Sequence, residues 1–172
     1  MTSKVLIAGQ EGMVGSSIHR LLKKKNFNII NCKRKDLDFT NQSSVEKWFK
    51  KHKPNIVINA AGKVGGILDN KSFQSDYIYI NSMIGLNIIN SSIKFNVKKL
   101  INLGSACIYP KKTNQPIKEN ALLSSPLEET NEGYALAKIL SLKYSQHLKK
   151  KYKKEFISLM PANLYGEGDN FD

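Results

Sequence analysis

The chain has 172 residues, 41% of them hydrophobic, with seven Phe, seven Tyr and Trp48; that is enough for one domain with a real core and too apolar for disorder. No apolar run approaches the roughly 20 residues of a membrane helix. Cys32 and Cys107 are too few for a disulfide framework, and His19, His52 and His147 lack metal-ligand spacing, so no metal is expected. The formal charge of +13 raises the question of nucleic acid. However, Lys23-Lys24-Lys25 and the lysines between Lys149 and Lys154 fall at predicted helix ends, where cations suit the helix dipole. A solvated surface is the preferred reading, with no nucleic-acid partner and no membrane.

Met1-Thr2-Ser3-Lys4 leads straight into Val5-Leu6-Ile7-Ala8-Gly9, a first strand. That start predicts no secretory leader and a cytoplasmic protein. Apolar residues at Met13, Val14, Ile18, Leu21 and Leu22 have helical spacing and predict a helix from Met13 to about Lys25. Phe27 to Cys32 reads as strand two, followed by the polar turn Lys33 to Asp38. Ser43 or Ser44 is expected to cap a helix running to about His52, with Val45, Trp48 and Phe49 inward. Pro54 ends it, and Ile56 to Ala60 is strand three. Gly62 to Asp76 reads as a loop, and Tyr77 to Asn96 as a long helix. Leu100-Ile101-Asn102-Leu103 is a buried strand broken by Gly104. The connection from Ser105 to Thr130 holds Pro110, Pro116 and Pro126, and connections this long are usually functional. A helix from about Glu132 to Lys151, a strand from Phe156 to Met160 and a final loop complete the chain. Strands alternating with helices predict an α/β fold with a doubly wound, mainly parallel sheet.

Three stretches carry chemistry. Gly9-Gln10-Glu11-Gly12-Met13-Val14-Gly15 lies between a strand and a helix, where glycines let backbone N–H groups approach a pyrophosphate. Strand two ends in Cys32-Lys33-Arg34-Lys35 rather than in the acid that grips a ribose 2′-hydroxyl. Basic residues there suit a 2′-phosphate, so NADP(H) is expected over NAD, with Asp38 beside the adenine. Glu11 works mildly against that extra phosphate. Gly104-Ser105-Ala106-Cys107 follows a strand at the end where open α/β sheets bind ligands. Tyr134 and Lys138 stand at i and i+4 on one helical face, a phenol and the cation that could stabilise its anion. With Ser105 they form a set suited to hydride transfer at a ketone. Cys32 has no such partner and reads as a small buried hydrophobe.

These segments resemble the extended short-chain dehydrogenase/reductase family and, within it, the GDP-L-fucose synthases. The resemblance runs through Gly9 to Gly15, Ala60-Ala61-Gly62-Lys63-Val64-Gly65-Gly66-Ile67, Gly104 to Pro110, Tyr134 to Lys138, Pro161-Ala162-Asn163-Leu164-Tyr165-Gly166 and Asp169-Asn170-Phe171. It implies a Rossmann domain and two-part chemistry on GDP-4-keto-6-deoxy-D-mannose: epimerisation at C3 and C5, then reduction of C4 by NADPH. It implies Cys107 as the base for the C–H protons, and Ser105, Tyr134 and Lys138 as the reductive set. Asn163 joins Ser105 on the substrate side. Cofactor contacts are implied for Gly9, Gly12, Met13, Val14, Gly15, Arg34, Asp38, Ala60, Ala61, Lys138, Pro161, Asn163 and Leu164. A homodimer through the two long helices is implied as well.

The chain departs from the family at Gly133, where proline is common, and at Gly168, where histidine is frequent. The family's histidine acid and its substrate-binding domain lie beyond residue 172. Residues 1–172 are therefore read as the cofactor-binding domain, truncated before the substrate-binding domain. Three other readings stay open: a non-catalytic NADP-binding fragment, a related nucleotide-sugar epimerase or dehydratase, and a basic RNA-binding module.

Overall fold

The computed structural model describes residues 3–169; Met1, Thr2, Asn170, Phe171 and Asp172, and the readings placed on them, lie outside the described residues. Ten helices and strands follow in the order β1 (Lys4–Ala8), α1 (Met13–Lys24), β2 (Asn28–Ile30), α2 (Gln42–His52), β3 (Ile56–Asn59), α3 (Ile67–Ser72), α4 (Gln74–Lys94), β4 (Lys99–Leu103), α5 (Glu132–Tyr152) and β5 (Glu155–Leu159). The five strands form one parallel sheet in the order β2-β1-β3-β4-β5. The chain runs outward from β1 to β2, then returns to the other side of β1. That places the topological switch between β1 and β3, where open α/β sheets leave a crevice at their carboxyl ends.

Alternation along the central strands separates two apolar layers. Leu6, Ala8, Val57, Leu100 and Phe156 face Val45 and Phe49 of α2 and Ile88 and Ile89 of α4. Val5, Ile7 and Ile58 face the other way, onto Ile18 and Leu22 of α1. On that second face Ile101 of β4 is paired with Ile157 of β5. There Ile157 and Leu159 are 41% and 47% exposed, leaving an apolar strip of sheet uncovered.

The structure corrects several boundaries. The segment read as a loop from Gly62 to Asp76 contains α3, and α4 begins at Gln74 rather than Tyr77. β2 is only three residues long. The cap of α2 is Asn41, whose side chain accepts the Ser44 N–H at 2.9 Å; Ser43 and Ser44 already lie inside the helix. Between β4 and α5 the chain makes 3-10 turns at Ala106–Ile108, Glu119–Ala121 and Glu129–Asn131. Ile108 and Leu127 of this connection pack on Ala135, Ile139 and Leu142 of α5. The connection therefore has a small core of its own.

Candidate active site

The first part of the site is the turn from β1 into α1. Gly9 has φ +81°, the left-handed region that favours glycine. Gly12 N–H donates to the Gly9 carbonyl at 3.0 Å and closes the turn. A Cβ on Gly15 would stand 2.0 Å from that same carbonyl oxygen. The first turn of α1 can therefore pass over β1 only if residue 15 is glycine. Its N-terminus then opens toward the crevice with no acidic residue in the first turn, an arrangement that favours an anion. Gly15→Ala is expected to cost about 1–3 kcal/mol by overpacking and to abolish nucleotide binding. Gly66→Ala, where an added Cβ meets nothing within 4 Å, is expected to leave stability unchanged. Urea unfolding and NADPH titration of the two variants check both statements.

The second part is the carboxyl end of β3 and β4. Asn59 and Asn102 are register partners and both are buried. Asn59 donates its side-chain amide to the Asn102 side-chain carbonyl at 2.9 Å. This bond ties the two strand ends beneath the cleft. After β4, Gly104 N–H donates to the Leu159 carbonyl at 2.8 Å and Ala106 N–H to the Pro161 carbonyl at 2.9 Å. A side chain on Gly104 would meet Met160 Sδ at 2.6 Å. Ser105 is thus held at the strand end, and its Oγ accepts the Cys107 N–H at 3.2 Å, starting the short turn that carries the thiol.

The third part is the first turns of α5. Gly133 N–H donates to the Gln74 side-chain carbonyl at 2.8 Å, a bond that proline could not make. It fixes the start of α5 against α4, two helices that also meet where a Cβ on Gly85 would touch Ser141. Tyr134 packs edge-on to Tyr77, ring centroids 6.3 Å apart. The Tyr77 hydroxyl in turn donates to Asp69 of α3. Lys138 Nζ donates to the Leu103 carbonyl at 3.1 Å and lies 5.5 Å from the Tyr134 ring centre.

Burial dominates the electrostatics of this group. It pushes the Tyr134 phenol up to about 12; the neighbouring Cys107 adds to the rise, while the Ser105 hydroxyl opposes it. Burial alone brings the Lys138 ammonium down to about 8. Cys32 is buried, and burial, followed by Asp36 and Glu11, pushes its thiol up to about 11. That thiol is protonated and shielded, as a packing residue should be.

A cleft of about 610 Å³ joins the three parts. Gly12, Met13, Val14 and Gly15 line it from the glycine turn, and Ala60 and Ala61 from the end of β3. Ser105, Cys107, Tyr134 and Lys138 line it from β4 and α5, and Pro161, Asn163 and Leu164 from the final loop. Gly9 stands behind the lining, shaping the turn. Arg34 and Asp38 also lie outside it. Arg34 is exposed, and the Asp38 carboxylate accepts both the N–H and the hydroxyl of Thr40, which holds its pKa below the usual carboxylate value. The expectation that places Asp38 beside the adenine gains no contact from this geometry.

The structure adds Asn70, Thr130 and Asn131 to the cleft. It also adds Asn81, whose side chain accepts the Lys63 N–H at 2.8 Å and donates to the Lys63 and Tyr77 carbonyls, shaping the loop after β3. A signal for α4 was present in the sequence: Tyr77, Asn81 and Gly85 recur at i, i+4 and i+8, a polar and small stripe in an otherwise apolar helix.

A parallel sheet with a glycine turn at its switch point, and a Ser-Tyr-Lys group at the end of β4, define a Rossmann-like nucleotide-binding fold. The chain belongs to the NAD dependent epimerase/dehydratase family, whose profile matches residues 5–172. Among curated relatives, GDP-L-fucose synthase of Sinorhizobium fredii is 50% identical over 98% of the chain and 54% of its own length. Among solved structures, a GDP-D-glycero-L-gluco-heptose synthase from Campylobacter jejuni in the presence of NADPH superposes with a TM-score of 0.95 at 37% identity, over 99% of this chain and 50% of that one. A GDP-L-fucose synthetase from Naegleria fowleri bound to NADP gives 0.88 at 28% identity, over 100% and 55%. The chain thus spans about half the length of the relatives it matches. Among the described residues no helix is long and apolar enough to cross a membrane.

Proposed function

We propose that this chain is the cofactor-binding and catalytic-group-bearing half of an NADPH-dependent enzyme that converts GDP-4-keto-6-deoxy-D-mannose to GDP-L-fucose. One observation carries the reading: Ser105, Cys107, Tyr134 and Lys138 meet at the carboxyl end of β4, on the cleft that the glycine turn also lines. The identity to GDP-L-fucose synthases over nearly the whole chain supports the substrate class.

The residues fit a dinucleotide. Gly12, Met13, Val14 and Gly15 line the cleft at the N-terminus of α1, where no acidic residue of the first turn opposes an anion, and the cleft continues unbroken to Lys138. Gly12 to Gly15 would hold the phosphates, Ala60 and Ala61 the middle of the molecule, and Lys138, Pro161, Asn163 and Leu164 its nicotinamide end. When bound, NADPH supplies hydride to C4 of the sugar. Ser105 hydrogen-bonds the C4 carbonyl oxygen, and Tyr134 gives that oxygen its proton. The charge of Lys138 favours the phenolate left behind. For epimerisation, the same polarised ketone acidifies the C–H bonds at C3 and C5. Cys107, two residues from Ser105, takes those protons as thiolate. Reprotonation from the opposite face requires an acid on the other side of the sugar. In this reading the second half of the enzyme contributes that acid.

The apolar rim of the cleft supports such a half. Val64 and Ile67 line it and are exposed, as is the strip at Ile157 and Leu159, and exposed apolar patches of this kind mark surfaces that are covered in use. Tyr79 on α4 and Leu136 and Leu140 on α5 are also exposed. They favour a homodimer through these helices, and sedimentation at high concentration is expected to show dimer; a monomer throughout would count against it.

The direct test mixes the chain with NADPH and GDP-4-keto-6-deoxy-D-mannose and follows substrate-dependent NADPH consumption. Tight NADPH binding with slow consumption is expected. Binding without consumption by a folded chain would make it a non-catalytic nucleotide-binding fragment. In deuterated water, Cys107→Ser is expected to slow label entry at C3 and C5 by about a hundredfold or more, with NADPH binding retained. Undiminished exchange would assign the base elsewhere and favour a different nucleotide-sugar epimerase or dehydratase.

A further inference from the structure

The glycine turn carries a carboxylate that the reading above leaves without a task. Glu11 precedes Gly12, and its side chain does not simply project into water. Its Oε2 accepts the backbone N–H of Arg34 at 2.9 Å, joining residues 23 apart in sequence. Arg34 lies in the turn just after β2, and that turn is where this fold meets the ribose 2′ position of a dinucleotide.

The acidic side chains at this turn are hydrogen-bonded, and its basic side chains are exposed. Asp36 N–H donates to the Lys33 carbonyl at 2.9 Å, and Asp36 Oδ2 accepts the Lys33 N–H at 3.0 Å. Behind the turn, buried Gln10 donates its side-chain amide to Asn31, the residue just past β2. Glu11 and Asp36 are therefore held by backbone amides. Lys33, Arg34 and Lys35 are exposed, and Arg34 is fixed here through its backbone N–H.

We propose that Glu11 is the specificity-determining residue at the 2′ position, and that it narrows the preference for NADPH so that NADH is accepted as well. The inference rests on the dinucleotide reading of the cleft. An ionised carboxylate only accepts hydrogen bonds. A ribose 2′-hydroxyl can donate to it. A 2′-phosphate brings up to two negative charges and meets repulsion from the carboxylate that the Arg34 N–H holds at this turn. The flexible cations at Lys33, Arg34 and Lys35 attract that phosphate, but exposed pairs are weak and screened by salt. The two tendencies oppose each other at one lip.

The test titrates NADPH and NADH into the chain and into Glu11→Gln, following nucleotide or protein fluorescence. Glutamine keeps an acceptor for the Arg34 N–H and removes the charge. The wild-type dissociation constants for the two nucleotides are expected to lie within about tenfold of each other, and Glu11→Gln is expected to favour NADPH by about a further tenfold. Arg34→Gln gives an independent reading: it should lower NADPH affinity more than NADH affinity and so turn the preference toward NADH. A wild-type preference for NADPH above about a hundredfold, equivalent to about 2.7 kcal/mol, would overturn the proposal. So would an unchanged ratio in a folded Glu11→Gln, or retained NADPH preference in Arg34→Gln. If neither nucleotide binds the folded wild type, the dinucleotide reading itself fails, and the proposal with it.

Discussion

Tyr134→Phe is expected to lower the rate of C4 reduction by about 10²–10⁴-fold, the usual worth of a positioned proton donor, and to leave NADPH affinity within about twofold of wild type. The substitution is a narrow one. Phenylalanine keeps the ring that packs edge-on to Tyr77, so the start of α5 and the Tyr77–Asp69 tether should persist. What disappears is a hydroxyl whose pKa burial has pushed up to about 12. Near pH 7 that phenol is almost fully protonated, which is the form needed by a group that must donate a proton to a ketone oxygen. The raised value also sets the direction of its pH effect: Tyr134 itself should impose no loss of activity until the solution is strongly alkaline. Proton exchange at C3 and C5 should fall less than reduction, because Ser105 still polarises the carbonyl. NADPH consumption and deuterium entry, measured on the same samples, separate the two. Reduction that survives in Tyr134→Phe would make another group the donor.

Much of this architecture was legible because parallel strands buried on both faces are written as apolar runs. Val5 to Ala8, Ile56 to Ile58 and Leu100 to Leu103 could hardly be anything else. The glycine turn was legible for a related reason: three glycines between a strand and a helix have few other uses. α4 was harder. Its apolar residues Ile80, Met83 and Ile84 are only partly buried, Ile84 against the core. The fully covered positions are Tyr77, Asn81, Gly85, Ile88 and Ile89, together with several neighbours. The helix presents small and polar groups to α5 and to the loop after β3, and those partners are far away in sequence. The cap of α2 was missed for a local reason: Asn41, Ser43 and Ser44 are all competent acceptors, and only the backbone angle at Asn41 decides among them. The contact between Glu11 and Arg34 joins two turns, and no periodic pattern records such a pairing.

The electrostatic setting of Tyr134 and Lys138 was less legible. Spacing at i and i+4 shows that the two can share a helical face, but not that both are taken out of water. Burial pushes the phenol up and brings the ammonium down. The ammonium is held by a hydrogen bond to the Leu103 carbonyl, with its pKa down to about 8 against an ordinary value of 10.5. This cation is maintained at the site at a cost to the fold.

Lys138→Met is therefore expected to make the chain more stable and less active. A depression of about 2.5 pH units in the folded state corresponds to a penalty of about 3 kcal/mol below pH 8, where both folded and unfolded chains carry the charge. Methionine removes the penalty but leaves the Leu103 carbonyl without its donor, at a cost of about 1–2 kcal/mol. The net gain should raise the melting midpoint at pH 7 by about 2–8 °C. The sign reverses the common experience with lysines. Between pH 8 and about 10.4 the unfolded chain binds the proton and the folded chain does not, so wild-type stability should rise with pH relative to Lys138→Met. The advantage of Lys138→Met should shrink across that interval and reverse above it by about 1–2 kcal/mol, because the neutral amine still donates to the Leu103 carbonyl and methionine cannot. Activity should follow the opposite course: reduction by the wild type should fall as pH passes about 8 and Lys138 loses the charge that favours the Tyr134 phenolate. Lys138→Met should show low reduction without that limb. Thermal unfolding and NADPH-consumption profiles from pH 6 to pH 10, both within ordinary reach, decide the matter. A lysine whose removal destabilises the chain equally at every pH would be an ordinary hydrogen-bonding residue, and the electrostatic role given to it here would fall.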